Sequence, residues 1–576
     1  MDTWVADFET TTNPEKSYVW AWACCQVGDL ENIYIGTDIY DFMDWCQTRP
    51  ENVKVYFHNL KFDGNFIISW LLKNEFRHVA SSRDRASNTF KTMISDEGVF
   101  YGIEVIFWKR GKSIKKVSFY DSMKLLPMSA AKVAKSFHMP YEKGIIDYDR
   151  HNNLPYGSPL TQEEHDYIIN DVKIMAYAMN ELKKQGLDKL TIGSCAMAEY
   201  KSIVGDRTFK RYFPQLSCHN YVKQAYGGGW AYLNPAFKGK LVKNGIALDV
   251  NSLFPFVMRT KSLPNGMPLY FSGEYQDDRL YPLYVQTFRC QFELKPGKLP
   301  TVRAKRFFGN EYLTTSDDHE ITMCLNSVDL KLFLENYDVY NMEYIEGWKF
   351  MAKDGMFDEY IDKWDEAKRQ AKKEGNWGLY IVAKLFLNSL YGKFGANTTR
   401  RSKAPYLEDG IVRYEDLPPE TVEGVYVPVA SFVTSYAREY TIRAAQKIMD
   451  DNAAGKSKIQ FIYSDTDSLY LSSPDFSLPD GLDIDQYRLG AWKVEGRFNK
   501  AKFLRPKCYI ANYTEDMLSA KPQYKLKRTI AGMPEECHDQ VTFSNFKFGA
   551  VYSGKKAPKV VPGGVILENI EFTIKE

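Results

Sequence analysis

The run IQFIYSDTDSLYLSS at 459–473 places two aspartates two residues apart between two apolar, β-prone stretches. Such a pattern reads as strand, tight turn, strand, with Asp465 and Asp467 at the tip. Two carboxylates at one tip repel, so solvent or a cation must offset their charge. A chain of 576 residues can bring further acids to that tip from far away. It also exceeds what one hydrophobic core serves, about 250–300 residues, so at least two domains are expected.

A separate group of acids lies near the N-terminus. In VADFET, Asp7 and Glu9 stand at i and i+2, so on a strand they share a face. HNLKFDG adds Asp63 after another strand-like run, VKVYFH. YIIND adds Tyr167 and Asp171 at i and i+4, one face of a helix. Four acids of this kind can converge on two divalent cations that activate a water and stabilise a leaving oxygen in phosphodiester hydrolysis, with Tyr167 orienting the water. All-oxygen ligands suit Mg²⁺ or Mn²⁺. The spacing DxE … NxxFDG … YxxxD matches the three motifs of a DEDDy 3′–5′ exonuclease.

A second constellation lies downstream. DVNSLFP opens with Asp249 at an expected strand end, and YSDTDS supplies Asp465 and Asp467, a set that makes sense as a Mg²⁺ site. Between them, KLFLNSLYG spaces Lys384, Asn388 and Tyr391 as one helical stripe, suited to a triphosphate and a nascent base pair.

Composition constrains the partners. Net charge is only +2, but 493–576 holds fifteen basic against nine acidic residues, a bias compatible with gripping a duplex. Aromatic content of 15% suits core filling or base stacking. Nine cysteines without a CxxC or a His cluster argue against a disulfide framework and structural zinc, and predict a reducing compartment. No apolar run approaches membrane-spanning length, and MDTWVADFETTT lacks a signal-peptide layout. No internal repeat or P-loop occurs.

Local patterns predict strands at TWVADFE and VKVYFH, and a helix from Gln162 with Thr161 and Glu164 as a capping box and Gly186 near its end. AYGGGW at 225–230 reads as a turn or linker. Residues 356–391 read as helical, weakened at Gly375 and Gly378. The polar stretch 397–427 reads as a hairpin-like or loop insertion, and VTFSNFKFGAVY and GGVILENIEFTI as strands.

In this order after an exonuclease, DVNSLFP, KLFLNSLYG and YSDTDS resemble the A, B and C motifs of family B DNA polymerases. AYGGGW resembles their Tyr-x-Gly-Gly linker, and TSYAR (434–438) and KCY (507–509) also fit. YDSMKLLP and YEKGIIDY resemble single-strand-binding and catalytic-lysine elements of the exonuclease. Chain length and end-to-end agreement, including VPGGVILENIEFTIK, identify a member of the protein-primed subgroup, the phage phi-29 type.

That resemblance implies an α/β and α+β multidomain fold: an RNase H-like exonuclease over 1–189, then a right-hand polymerase over 190–576. The implied palm covers 190–260 and 428–530, the fingers 359–396 and the thumb 531–576. Insertions at 261–358 and 397–427 are expected to contact the priming protein and to confer strand displacement and processivity. The implied activity is protein-primed, DNA-directed synthesis of a linear phage genome with 3′–5′ proofreading. Two Mg²⁺ per active site are implied, with Mn²⁺ as the alternative. Expected partners are double- and single-stranded DNA, dNTPs and a terminal protein, with no membrane. The chain is expected to act as a monomer or as a heterodimer with terminal protein, in the cytoplasm of the infected bacterium.

By the same resemblance, Asp249, the Val250 carbonyl and Asp467 ligate the polymerase metals, and Asp465 contributes weakly. Phe254, Lys384, Asn388 and Tyr391 form the nucleotide pocket. Asp7, Glu9, Asp63 and Asp171 ligate the exonuclease metals, assisted by Tyr167 and Lys143. DNA contacts are implied for Asn59, Phe62, Ser122, Met123, Tyr148, Tyr226, Gly228, Gly229, Thr434, Arg438, Lys507 and Tyr509. Departures are Phe254 for the usual Tyr, Met123 for Leu, Gly227 for a basic residue, and Tyr380 for a dNTP-facing Lys. Two other readings stay open: a nuclease with a degenerate polymerase half, and a non-catalytic DNA-binding scaffold. A reverse transcriptase fits poorly, because Thr466 separates the two aspartates.

Overall fold

Alternation along the strand Asp2–Thr10 explains how the N-terminal layers form. Trp4, Ala6 and Phe8 point into one buried cluster, together with Phe42, Phe57 and Phe119. Val5 points the other way, into the cluster that holds Ile168, Val172 and Met175 of the helix Gln162–Lys184. Asp7 and Glu9 share the parity of Val5, so they face that helix. The strand lies in an eight-stranded mixed sheet, antiparallel to Val19–Gln26 and parallel to Val53–Phe57. The computed structural model describes residues 2–15, 17–139, 144, 146–147, 149–303, 311–516, 519 and 521–576.

The expected capping box is present: Thr161 accepts from the Glu164 amide, and Glu164 accepts from the Thr161 amide. Gly186 follows the last helical turn in the left-handed region, at φ 81°.

A second, seven-stranded antiparallel sheet carries the downstream motifs. Leu241–Val250 runs between Ser468–Ser472 and Trp492–Arg505. Gln460–Asp465 and Ser468–Ser472 form the hairpin that the sequence pattern requires. The long helix Val427–Ala453, buried along most of its N-terminal two-thirds, packs behind this sheet.

Segment 356–391 divides into two antiparallel helices, Asp358–Glu374 and Trp377–Phe394. The break falls at Gly375, which adopts φ 70°, and Asn376 then caps the next helix by accepting from the Leu379 amide. Gly378 does not break that helix. A side chain there would collide with the Phe137 ring, so the glycine permits close packing on the N-terminal unit.

Within 261–358, four antiparallel strands and the helix Ser327–Asn336 build a separate sheet with its own core around Phe288, Phe292 and Phe333. Within 397–427, Lys403–Glu408 and Ile411–Asp416 form a hairpin, and Thr399–Arg400 pairs with Glu420–Thr421 at its base.

One expectation needs correction. VTFSNFKFGAVY is not a strand over 541–550; the strand begins at Val551. Short polar side chains capture the backbone there: Asn545 accepts from the Thr542 amide and donates to the Gln540 carbonyl, and Gly549 turns at φ 76°. GGVILENIEFTI does form a strand, Gly564–Thr573. Among the described residues, no helix is long and apolar enough to cross a membrane.

Candidate active sites on two sheets

At the first site, Asp7 and Glu9 meet Asp171, and a carboxylate oxygen of each lies within 4.8 Å of the others. Asp63 stands beside this trio. It is 3% exposed, and burial, then the nearby Asp7 charge, push its carboxyl well above the usual carboxylate range. Tyr167 lies one helical turn before Asp171 and is buried with it.

The strand-to-helix junction that presents Asp63 is built around Asp121. Its Oδ1 accepts from the amides of Asn59 and Met123, at 3.1 and 3.0 Å. Asn59 takes φ 77° immediately before the helix Leu60–Lys73. Ser122 is buried, bonded to the Phe57 carbonyl and the His58 ring, so its hydroxyl organises the junction. Asn59 is exposed, while Phe62 and Met123 are half-buried at the rim. Sequence reasoning missed Asp121; its signal was only an acid preceding SMK. Lys143 and Tyr148 lie outside the described residues.

The second site opens as a cleft of about 450 Å³, lined by Asp249, Asp465, Asp467, Glu495, Lys507 and Tyr509 among others. Asp249 pairs across the sheet with Ser468, and the Val250 amide donates to the Asp467 carbonyl at 2.7 Å. This register brings the distant motif to the hairpin tip. The tip itself is strained: Thr466, a β-branched residue, sits at φ 61°, and the Asp467 amide donates to the Asp465 carbonyl at 2.7 Å, closing a γ-turn. The surroundings hold it there. Trp230 O accepts from the Thr466 amide, and Thr441 Oγ1 donates to the Thr466 carbonyl.

Electrostatics set the acids apart. Burial, then the Asp249 charge, push the Asp467 carboxyl up to about 7. Burial also raises Asp249, opposed by the Lys493 ammonium 2.7 Å from its Oδ1. Asp465 pairs with Lys507 at 3.3 Å. Lys493 and Glu495 were missed by motif reading. Their i, i+2 spacing on a strand was the available signal, the same signal that exposed Asp7 and Glu9.

The Phe254 and Tyr391 rings lie 4.1 Å apart between centroids, tilted by 31°, and Lys384 and Asn388 are exposed on the same helix as Tyr391. The Lys507 amide donates to Tyr463 OH, and the Tyr509 and Tyr470 hydroxyls bond at 2.7 Å. Gly228 is exposed, whereas Tyr226 and Gly229 are half-buried.

Four residues expected at the DNA surface are buried: Ser122, Tyr509, Thr434 and Arg438. Thr434 is 2% exposed and bonds back to the Ala430 carbonyl. Arg438 is 8% exposed; it pairs with Asp329 and donates to the Gly228 carbonyl at 2.6 Å. Thr434 and Arg438 both sit on the packed helix Val427–Ala453, so Arg438 shapes the glycine loop from behind.

Both acid sets fit hard divalent cations. Their donors are all oxygen, and at Asp63 and Asp467 burial first, then a neighbouring carboxylate, raises proton affinity, a cost that a bound cation would offset.

Comparison with known proteins accords with this geometry. The family "DNA polymerase type B, organellar and viral" matches residues 45–159 and 150–478. The chain belongs to that family and is a DNA-directed DNA polymerase, which works with a divalent metal ion. It is 41% identical to the DNA polymerase of Bacillus phage phi29 and 40% identical to that of Bacillus phage Nf. These alignments cover 99% of this chain in both cases, and 98% and 99% of the relatives respectively. The DNA polymerase of Streptococcus phage Cp-1 is 33% identical over 100% of this chain and 98% of its own. The solved phi29 DNA polymerase in complex with primer-template DNA and incoming nucleotide substrates superposes with a TM-score of 0.92 at 40% identity, covering both chains fully.

Proposed function

We propose that this polymerase replicates a linear phage genome by protein priming, displaces the downstream strand without a helicase, and proofreads with its own 3′–5′ exonuclease. The observation that carries this reading is the pair of separate acidic clusters, one on each large sheet of a single chain. Relatives of the phi29 type solved with primer-template DNA and with single-stranded DNA support both substrates. The proposed boundaries are 1–189 for the exonuclease and 190–576 for the polymerase. The sheet within 261–358 is the proposed contact for terminal protein, and the hairpin within 397–427 the strand-displacement element. The bacterial phage relatives support work in the host cytoplasm.

In the polymerase site, Asp249 and Asp467 would hold Mg²⁺, and in the exonuclease site Asp7, Glu9, Asp63 and Asp171 would do so. When bound, two such ions activate the attacking oxygen and stabilise the leaving oxygen of an in-line displacement. The chain's own residues do the rest. Lys384 meets the triphosphate, and the Phe254–Tyr391 pair walls the sugar and base. Lys507 and Tyr509 steady the primer end, and Tyr167 orients the hydrolytic water.

The test is extension of a labelled primer on a singly primed circle, with Mg²⁺ and dNTPs and without helicase or clamp. We expect products longer than one circle, lost in Asp467→Ala and kept in Asp7→Ala. Without dNTPs, Asp7→Ala alone should stop primer shortening. A wild-type protein that only shortens primers overturns the polymerase reading.

A further inference from the structure

Lys493 belongs to none of the motifs, yet its ammonium is bonded to the central acid of the polymerase cleft. It lies on the strand Trp492–Arg505, directly across the sheet from Asp249, with Nζ 2.7 Å from Asp249 Oδ1. Side-chain exposures are 28% for the lysine and 21% for the aspartate, so the pair is only partly screened by water. Asp465 has a cation of its own in Lys507, at 3.3 Å. Tyr380 and Lys384, on the neighbouring helix, are close enough to influence this pair electrostatically.

An ammonium 2.7 Å from Asp249 Oδ1 and a divalent ion on the same carboxylate repel one another, so the two cations compete for its charge. A lysine anchored on a rigid strand with a four-carbon stem can leave that oxygen and still remain inside the cleft. Asp249, which holds it, also feels the charge of Lys384, the residue assigned to the triphosphate. Tyr380, close enough to act on Lys493, carries no positive charge of its own, so Lys493 is the cation beside Asp249.

We propose that Lys493 is a built-in placeholder cation: it occupies Asp249 in the metal-free enzyme, gives way to the divalent ion, and then binds the phosphates of the incoming nucleotide. This rests on the polymerase reading for the nucleotide step only. Lys493 acts first as a positioning residue, holding the carboxylate oriented while its charge is compensated. Its exchange sets a threshold for metal entry.

The test uses the full chain in an Asp7→Ala background, so that Mn²⁺ titrated by calorimetry reports on the polymerase cleft. Lys493→Met should bind Mn²⁺ about fivefold more tightly, the worth of one partly exposed ion pair. In chelator, Lys493→Met should melt at a lower temperature, and Lys493→Arg should restore the melting point. In primer extension, Lys493→Met should raise KM for dNTP with kcat largely kept. Should Lys493→Met not fold, Lys493→Gln reads the same titration. Equal or weaker Mn²⁺ binding in the neutral variants overturns the placeholder role, and an unchanged KM overturns the phosphate role. The Mn²⁺ titration needs no DNA, so it is independent of whether the wild type extends primers.

Discussion

At the residue scale, Asp467 shows how burial converts into pH dependence. A carboxyl whose pKa is raised by folding binds its proton more tightly in the folded chain, so its ionisation opposes folding. For Asp467 that opposition is absent below the unfolded value of about 4. It grows across the interval and is complete above about 7. Asp467→Asn should therefore stabilise the chelated protein by about 1–2 kcal/mol at pH 8 and leave it unchanged near pH 4, as read by denaturant melts. Added Mg²⁺ should stabilise the wild type more than the variant. Phe254 makes a second case. Its ring leans on Tyr391, so the planar wall survives without a phenolic hydroxyl. Phe254→Val should raise the ratio of ribo- to deoxynucleotide incorporation above that of the wild type; an unchanged ratio would remove Phe254 from the proposed pocket.

At the element scale, the hairpin carrying Asp465 and Asp467 depends on the glycine loop beside it. A Cβ on Gly229 would collide with the Thr466 side chain at the hairpin tip. Gly229→Ala should therefore cut primer extension strongly while leaving primer degradation intact, because Asp7, Glu9 and Asp171 lie away from this sheet. Equal loss of both activities would point to misfolding instead. The helix Gln162–Lys184 offers a contrast, since its start is purely local. Thr161→Ala removes one half of the capping box and should cost about 1 kcal/mol in a denaturant melt.

At the scale of the whole molecule, two hairpins lie against one helix of the N-terminal unit. Tyr414 of the inserted hairpin donates to Asn65 at 2.7 Å, and Val412 enters the core beside that helix. The C-terminal hairpin reaches the same region: the Pro562 carbonyl accepts from the Ser17 amide at 3.0 Å, and Val565 joins the same core. Replacing 403–416 with a short turn closes the chain at the Thr399–Arg400 and Glu420–Thr421 pair. It should keep single-nucleotide addition and primer degradation but end synthesis before one full circle. The amino-acid sequence by itself determined what is local or periodic. The DxE face, the capping box, the strand–turn–strand at YSDTDS and the stripe from Lys384 to Tyr391 all follow from spacings of two, three or four residues. Where polar side chains compete for the backbone, as at Thr542 and Asn545, alternation alone misled. Only the tertiary structure decided that Asp249 meets Asp467, that Arg438 supports the glycine loop from within, and that Lys493 reaches the central carboxylate. Those contacts join residues more than two hundred positions apart, and they arise from sheet register and burial, which no short spacing encodes.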